Sequence, residues 1–193
     1  MPQLESAINL KRQYGDVQLL ISCGDLPPAY LEFITTTLSV PLFYVRGNHD
    51  ERYTESPPGG DDLHHRIIEH QGLTFAGLEG SMRYNRGSIQ YSEFDMSLMV
   101  LQMGPSLIFN RWRRGHGIDI LVTHSPARGI HDKEDLAHRG FSSLKRFMAW
   151  YRPRYMLHGH VHTWDRRDIV KTRYKDTCVM NINPFTVLNI DPV

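Results

Sequence analysis

The feature that most constrains this chain is a set of four short apolar runs, at residues 17–23 (VQLLISC), 42–45 (LFYV), 118–123 (IDILVT) and 155–157 (YML). Each is β-rich and nearly continuous in apolar character rather than alternating, as strands covered on both faces are. Helical patterns lie between them. Residues 28–38 begin at Pro28 and carry apolar side chains at Tyr30, Leu31, Phe33, Ile34 and Leu38, a helix opened by proline. Residues 91–100 continue past a Gly104–Pro105 interruption towards Trp112, and residues 144–151 (LKRFMAWY) stop before Arg152–Pro153. Strand and helix alternating in this way predict an α/β domain.

Other segments predict antiparallel pairing. Residues 66–69 and 73–76 flank Gln71–Gly72 like a hairpin, and residues 169–174 and 178–182 flank Lys175–Asp176. A further strand is expected at 186–190, after Pro184. The expectation is therefore a mixed sheet or two packed sheets. Residues 51–63, with Pro57–Pro58–Gly59–Gly60, read as an exposed loop. Phe147 and Trp150 are expected in the core of the last helix, and Cys23 as a small buried thiol.

Composition narrows the function classes. A chain of 193 residues forms one ordinary domain and buries roughly 70% of its unfolded surface. Two cysteines provide neither a disulfide framework nor a cysteine-rich zinc site. A net charge of +1 with histidines neutral lacks the basic footprint of nucleic-acid binders, so nucleic acid is not the expected partner. No long apolar stretch or leader-like segment stands out, so a cytoplasmic protein without membrane attachment is expected. Nothing in the sequence specifies the oligomeric state.

The chemistry gathers where the apolar runs end. In open α/β sheets, ligands bind beyond the carboxyl ends of the strands. Here those ends carry Gly24–Asp25, then Gly47–Asn48–His49–Asp50, then His124, then His158–Gly159–His160–Val161–His162. Taken singly, each has a structural reading: a turn aspartate, an αL asparagine, a hydrogen-bonded histidine. Taken together, in this order, they point to a metal site. His160 and His162 face one side if the segment is extended, or address two metals if it turns. Oxygen ligands mixed with imidazoles suit Mn, Fe or Zn better than copper.

These motifs resemble the calcineurin-like metallophosphoesterase superfamily, whose signature runs DxH, GD, GNH[DE], a lone His, then GHxH. Four of the five are present in order: Gly24–Asp25, Gly47 to Asp50, His124, and Gly159 to His162. The resemblance implies an α-β-β-α sandwich of two mixed sheets and a two-metal site. It implies that Asp25 bridges the metals, that Asn48, His124 and His160 complete the second, and that His162 serves the first. His49 would face the scissile phosphate, with Asp50 orienting its ring. The departure is DxH, since no aspartate precedes Asp16. Residues 1–14 are helix-like, so the expectation is a single domain over 1–193 lacking its first strand, as if truncated. The first metal is then expected to be weak or absent.

The function expected is hydrolysis of a small phosphomonoester or phosphodiester by metal-activated water. The alternative is a non-catalytic scaffold with a partial metal site. A nuclease is disfavoured, because there is no basic stripe for a nucleic-acid backbone. Arg128, in the loop after His124, and Arg83, in the stretch 80–84, are the expected phosphate-facing side chains.

Overall fold

The computed structural model describes residues 6–162 and 169–192. In chain order the elements are α1 (Ala7–Tyr14), β1 (Leu20–Ser22), α2 (Pro28–Leu38), β2 (Leu42–Tyr44), β3 (Asp61–Asp62), β4 (Ile67–His70), β5 (Leu73–Leu78), β6 (Ser81–Met82), β7 (Gln90–Tyr91), α3 (Glu93–Arg114), β8 (Ile120–Thr123), α4 (Ser142–Tyr151), β9 (Tyr155–His158), β10 (Lys171–Tyr174) and β11 (Thr177–Asn181). Among the described residues the strands form a three-stranded sheet, β1-β2-β3, and a six-stranded sheet, β10-β11-β9-β8-β5-β4, with β6 and β7 paired apart. The three-stranded sheet is parallel. In the larger sheet β5, β8, β9 and β11 run parallel, and β4 and β10 close its edges antiparallel.

Alternation along the strands builds four layers, because successive side chains point to opposite faces. Phe43 and Val45 of the small sheet meet Phe75, Ile120, Val122 and Leu157 of the large one in a core between the sheets. Ala76, Leu121, Met156 and Val179 face the other way, onto Met96, Val100 and Leu107 of α3 and Leu144, Phe147 and Met148 of α4. On the opposite flank α1 and α2 cover the small sheet through Leu10, Leu31 and Ile34. The result is the expected α-β-β-α sandwich. No helix among the described residues is long and apolar enough to cross a membrane.

Local chemistry explains where elements stop. Gln71 (φ 49°) and Gly72 (φ 80°) both take left-handed conformations between β4 and β5, which a two-residue hairpin turn requires. Lys175 (φ 52°) does similar service between β10 and β11. Ser92 and Asp95 form a reciprocal capping box at the start of α3.

Four expectations are corrected. The Gly104–Pro105 pair does not interrupt α3, which runs through it; burial of Met96, Val100, Met103 and Leu107 on one side outweighs the lost backbone bond on the other. Residues 186–190 form no strand, although Leu188 and Ile190 still pack onto the core between the sheets. The loop at 51–63 is less exposed than expected: a 3-10 turn (Glu51–Thr54) buries Tyr53, and Leu63 is fully buried. Trp150 is half-exposed while Phe147 is buried, so only Phe147 belongs to the core as expected. Cys23 is buried as expected, and burial pushes its thiol pKa well up.

Candidate metal centre

Parallel strands in both sheets deliver their carboxyl ends to one place. Asp25 follows β1, Asn48 follows β2, His124 follows β8, and His160 follows β9. Three of these, Asp25, His124 and His160, present ligand atoms that all lie within 4.8 Å of one another. His124 Nε2 is 3.0 Å from His160 Nδ1, 3.0 Å from Asn48 Oδ1 and 3.4 Å from Asp25 Oδ2. His162 does not join this compact group; it is exposed, and Asn183 Nδ2 donates to its Nδ1 at 3.1 Å.

The outward-facing atoms decide what the inward-facing ones carry. His124 Nδ1 lies 2.6 Å from the Cys23 carbonyl, and His160 Nε2 lies 2.7 Å from the Ala137 carbonyl. A carbonyl can only accept, so both nitrogens are the protonated ones. Burial lowers the pKa of His124 and takes that of His160 down to about 4, which keeps both rings neutral. Their inner nitrogens are therefore bare. Asn48 donates its Nδ2 to the Tyr84 hydroxyl at 3.1 Å, which turns its Oδ1 inward. Asp25 Oδ1 accepts the His49 amide at 3.0 Å, leaving Oδ2 to face the imidazoles. Four lone-pair donors thus converge with no proton between them. That arrangement is repulsive alone and attractive around a cation, and mixed N/O donors suit a divalent transition metal. These residues fit such an ion.

Close approach is what the glycines allow. A Cβ on Gly47 would overlap Asp25 Oδ1 and stand 2.7 Å from His124 Cε1. Gly24 has φ 93°, and a Cβ there would be 2.7 Å from Gly47 Cα. Asp25 and His160 themselves hold positive φ, 60° and 63°, a cost of about 1 kcal/mol or more each for non-glycine residues.

Asp50 works on the backbone. Its Oδ2 accepts the amides of Asp25 and Gly47, each at 2.7 Å, so it clamps the loops after β1 and β2 together. Burial pushes its carboxyl up to about 6 against the pull of those two amide bonds. The His49 side chain is exposed. Arg83 and Arg128, expected near a phosphate, each bond a carboxylate. Arg83 bonds Asp95 Oδ2 at 3.1 Å beside the start of α3, and Arg128 bonds Asp132 Oδ2 at 2.9 Å.

The sequence reading missed the supports around the site. Tyr84 lies in the stretch singled out for Arg83, but only its contact with Asn48 reveals its part. Arg46 makes a two-pronged pair with buried Glu79, at 2.6 and 2.9 Å, and Tyr91 donates to the same carboxylate at 2.6 Å. That pair anchors residue 46, where the loop bearing Asn48 begins.

The calcineurin-like phosphoesterase family model matches residues 13–164. No curated protein matches the chain significantly. Among solved structures, that of TT1561 of Thermus thermophilus aligns with a TM-score of 0.59 at 11% identity, over 94% of this chain and 83% of its own. Another aligns with a TM-score of 0.49 at 16% identity over 80% of this chain, which spans 63% of that structure's length.

Proposed function

The chain belongs to the calcineurin-like phosphoesterase family, and we propose that it hydrolyses a small phosphate ester, mono- or diester, in a metal-dependent reaction. The observation that carries this reading is the convergence of Asp25 Oδ2, Asn48 Oδ1, His124 Nε2 and His160 Nδ1, each held by an outward hydrogen bond or neighbouring amide. An Mn, Fe or Zn ion bound there supplies charge neutralisation at the phosphoryl oxygens and a lowered pKa for attacking water.

The chain's own residues do the rest. The Cys23 and Ala137 carbonyls keep the inner histidine nitrogens unprotonated, so these two side chains bind rather than shuttle protons. His49 is exposed, and its amide donates to Asp25 Oδ1 beside the cluster, which leaves its side chain open to an arriving ester. We assign it the proton for the leaving oxygen. Asp50 contributes by fixing the two loops.

The separate position of His162, bonded to Asn183, favours a second reading: a scaffold with a partial metal site and no turnover. One experiment separates the two. Protein loaded with Mn or Zn is assayed on a generic aryl phosphodiester, alongside His49→Ala and His124→Ala. Hydrolysis that falls roughly 10²–10⁴-fold in His49→Ala with metal content intact, and metal loss in His124→Ala, support the enzyme. Metal bound without turnover supports the scaffold. Equal metal content in wild type and His124→Ala would remove the basis of both.

A further inference from the structure

Helix α3 buries one face and leaves the other uncovered. On the outer face Phe94, Leu98, Leu101, Pro105, Ile108 and Trp112 recur at alternating intervals of four and three residues. Trp112 is 82% exposed and Phe94 76%, with Leu98, Leu101 and Ile108 between 46% and 65%. This spacing is the seam of a two-helix coiled coil, and it lies on the side opposite Met96, Val100, Met103 and Leu107, which face the sheet. Phe109 flanks the seam, its ring centroid 6.0 Å from that of Trp112. A continuous apolar strip of this kind marks an association surface rather than ordinary scatter.

We propose that this face is the dimer interface of the protein, with α3 packing antiparallel on α3 of a second copy. Three observations select that occupant. The first is self-complementarity. A two-fold axis near Met103 sets Phe94 against Trp112 of the second copy, Leu98 against its Ile108, and Leu101 against its Pro105, so every seam position meets a seam position. The helix has 22 residues, about 33 Å, long enough for the whole seam to engage.

The second is charge. The first turn holds Glu93 and Asp95, and the last holds Arg111, Arg113 and Arg114. Residues 96–110 carry no charge at all. Antiparallel pairing brings the acidic end of each helix beside the basic end of the other. Several of these groups keep partners within the chain, Glu93 with Arg146 and Arg114 with Glu69, so the gain is a matched field rather than new ion pairs. A membrane surface would call for cationic residues along the whole strip, and its middle has none.

The third is area. The exposed parts of the seam side chains amount to roughly 700 Å² per chain, taking about 150–250 Å² for each whole aromatic side chain. A standard stable interface takes about 800 Å² per partner, so the strip with its immediate rim is sufficient.

The test is sedimentation equilibrium of the full chain over a concentration series, with Leu101→Glu beside wild type. Leu101 is exposed in the monomer, so the variant folds, and unchanged circular dichroism and thermal melting of the diluted proteins verify it. The expected result is a wild-type dimer whose dissociation constant rises more than roughly 100-fold in Leu101→Glu, because each copy then buries an unpaired carboxylate. Direction is read by disulfide trapping in a Cys178→Ser background. Leu98→Cys mixed with Ile108→Cys should cross-link, and Leu98→Cys alone should not. A wild-type monomer at the highest soluble concentration overturns the proposal, as does a dimer indifferent to Leu101→Glu. Cross-linking by Leu98→Cys alone refutes the antiparallel arrangement. Pelleting of a monomer with anionic phospholipid vesicles overturns the proposal in favour of a lipid surface.

Discussion

Replacing Gly47 with alanine should separate folding from metal binding. Gly47 does not hold a positive φ, so alanine meets no backbone strain there. What its Cβ meets is Asp25 Oδ1, which it overlaps, and His124 Cε1 at 2.7 Å. Asp25 is partly exposed at 26% of its side chain, whereas His124 is fully enclosed. The carboxylate therefore yields first and swings out of the cluster. Overpacking of this kind costs about 1–3 kcal/mol, which a domain of this size survives. Loss of the carboxylate is more serious for an ion, because it is the only full negative charge in the group. An ion at 100 times its dissociation constant stabilises a folded protein by about 2.7 kcal/mol. For a chain of about 150–250 residues each kcal/mol moves Tm by about 2–4 °C, so wild type should gain roughly 5–11 °C with Mn or Zn. In Gly47→Ala that gain should vanish while the metal-free melt stays cooperative. The assay is scanning calorimetry with and without metal, supported by titration calorimetry. A variant that keeps the full metal-induced shift would show that Asp25 is not a ligand, or that the two loops are not packed as described.

Tyr84→Phe should weaken metal affinity roughly 10–100-fold, the usual effect of losing an outer hydrogen-bond partner; unchanged affinity by titration would mean that Asn48 needs no help from Tyr84. Asp50→Ala should be about 1–3 kcal/mol less stable than Asp50→Asn, because asparagine keeps an oxygen for the buried Gly47 amide; equal denaturation midpoints would contradict the clamp. Burial holds the His64 pKa down to about 4 despite the pull of Glu79, so the folded chain binds fewer protons than the unfolded one below the ordinary value near 6.5. Its contribution to stability is therefore full above pH 6.5 and is lost as pH falls towards 4, up to roughly 3 kcal/mol relative to His64→Asn. Denaturant melts of the two proteins that run parallel across that window would remove His64 from the account.

The layers were legible because strands buried on both faces leave continuous apolar runs, and the hairpins because Gln71–Gly72 and Lys175–Asp176 are turn pairs. α2 matched its reading, Pro28 to Leu38, since both its start and its apolar face are written locally. α3 was misread at Gly104–Pro105 because local propensity weighs against a helix there, and only packing onto the sheet overrules it. The cluster residues could be named because they stand at strand ends beside glycines. What holds them could not. The Cys23 and Ala137 carbonyls are chemically like every other carbonyl, and only tertiary placement selects them. The partners of Asp50, Arg83 and Arg128 were hidden for the same reason: two amides, Asp95 and Asp132 are brought to them only by how the loops fold together.

The four converging side chains come from two different sheets, Asp25 and Asn48 from the small one and His124 and His160 from the large one. The small sheet has strands of only two or three residues, so its own hydrogen bonds give little resistance to local opening. In the absence of an ion it should behave as a separate, weaker unit, with amides of residues 20–22 and 42–45 exchanging with solvent well before those of 120–123 and 155–158. An ion gripped from both sides turns that hierarchy into a single event, since the small sheet can open only by releasing the ligand that the large sheet also holds. Deuterium uptake would then change most in the segment farthest in sequence from the histidines, and the ion would act as a rivet between two halves that otherwise breathe independently.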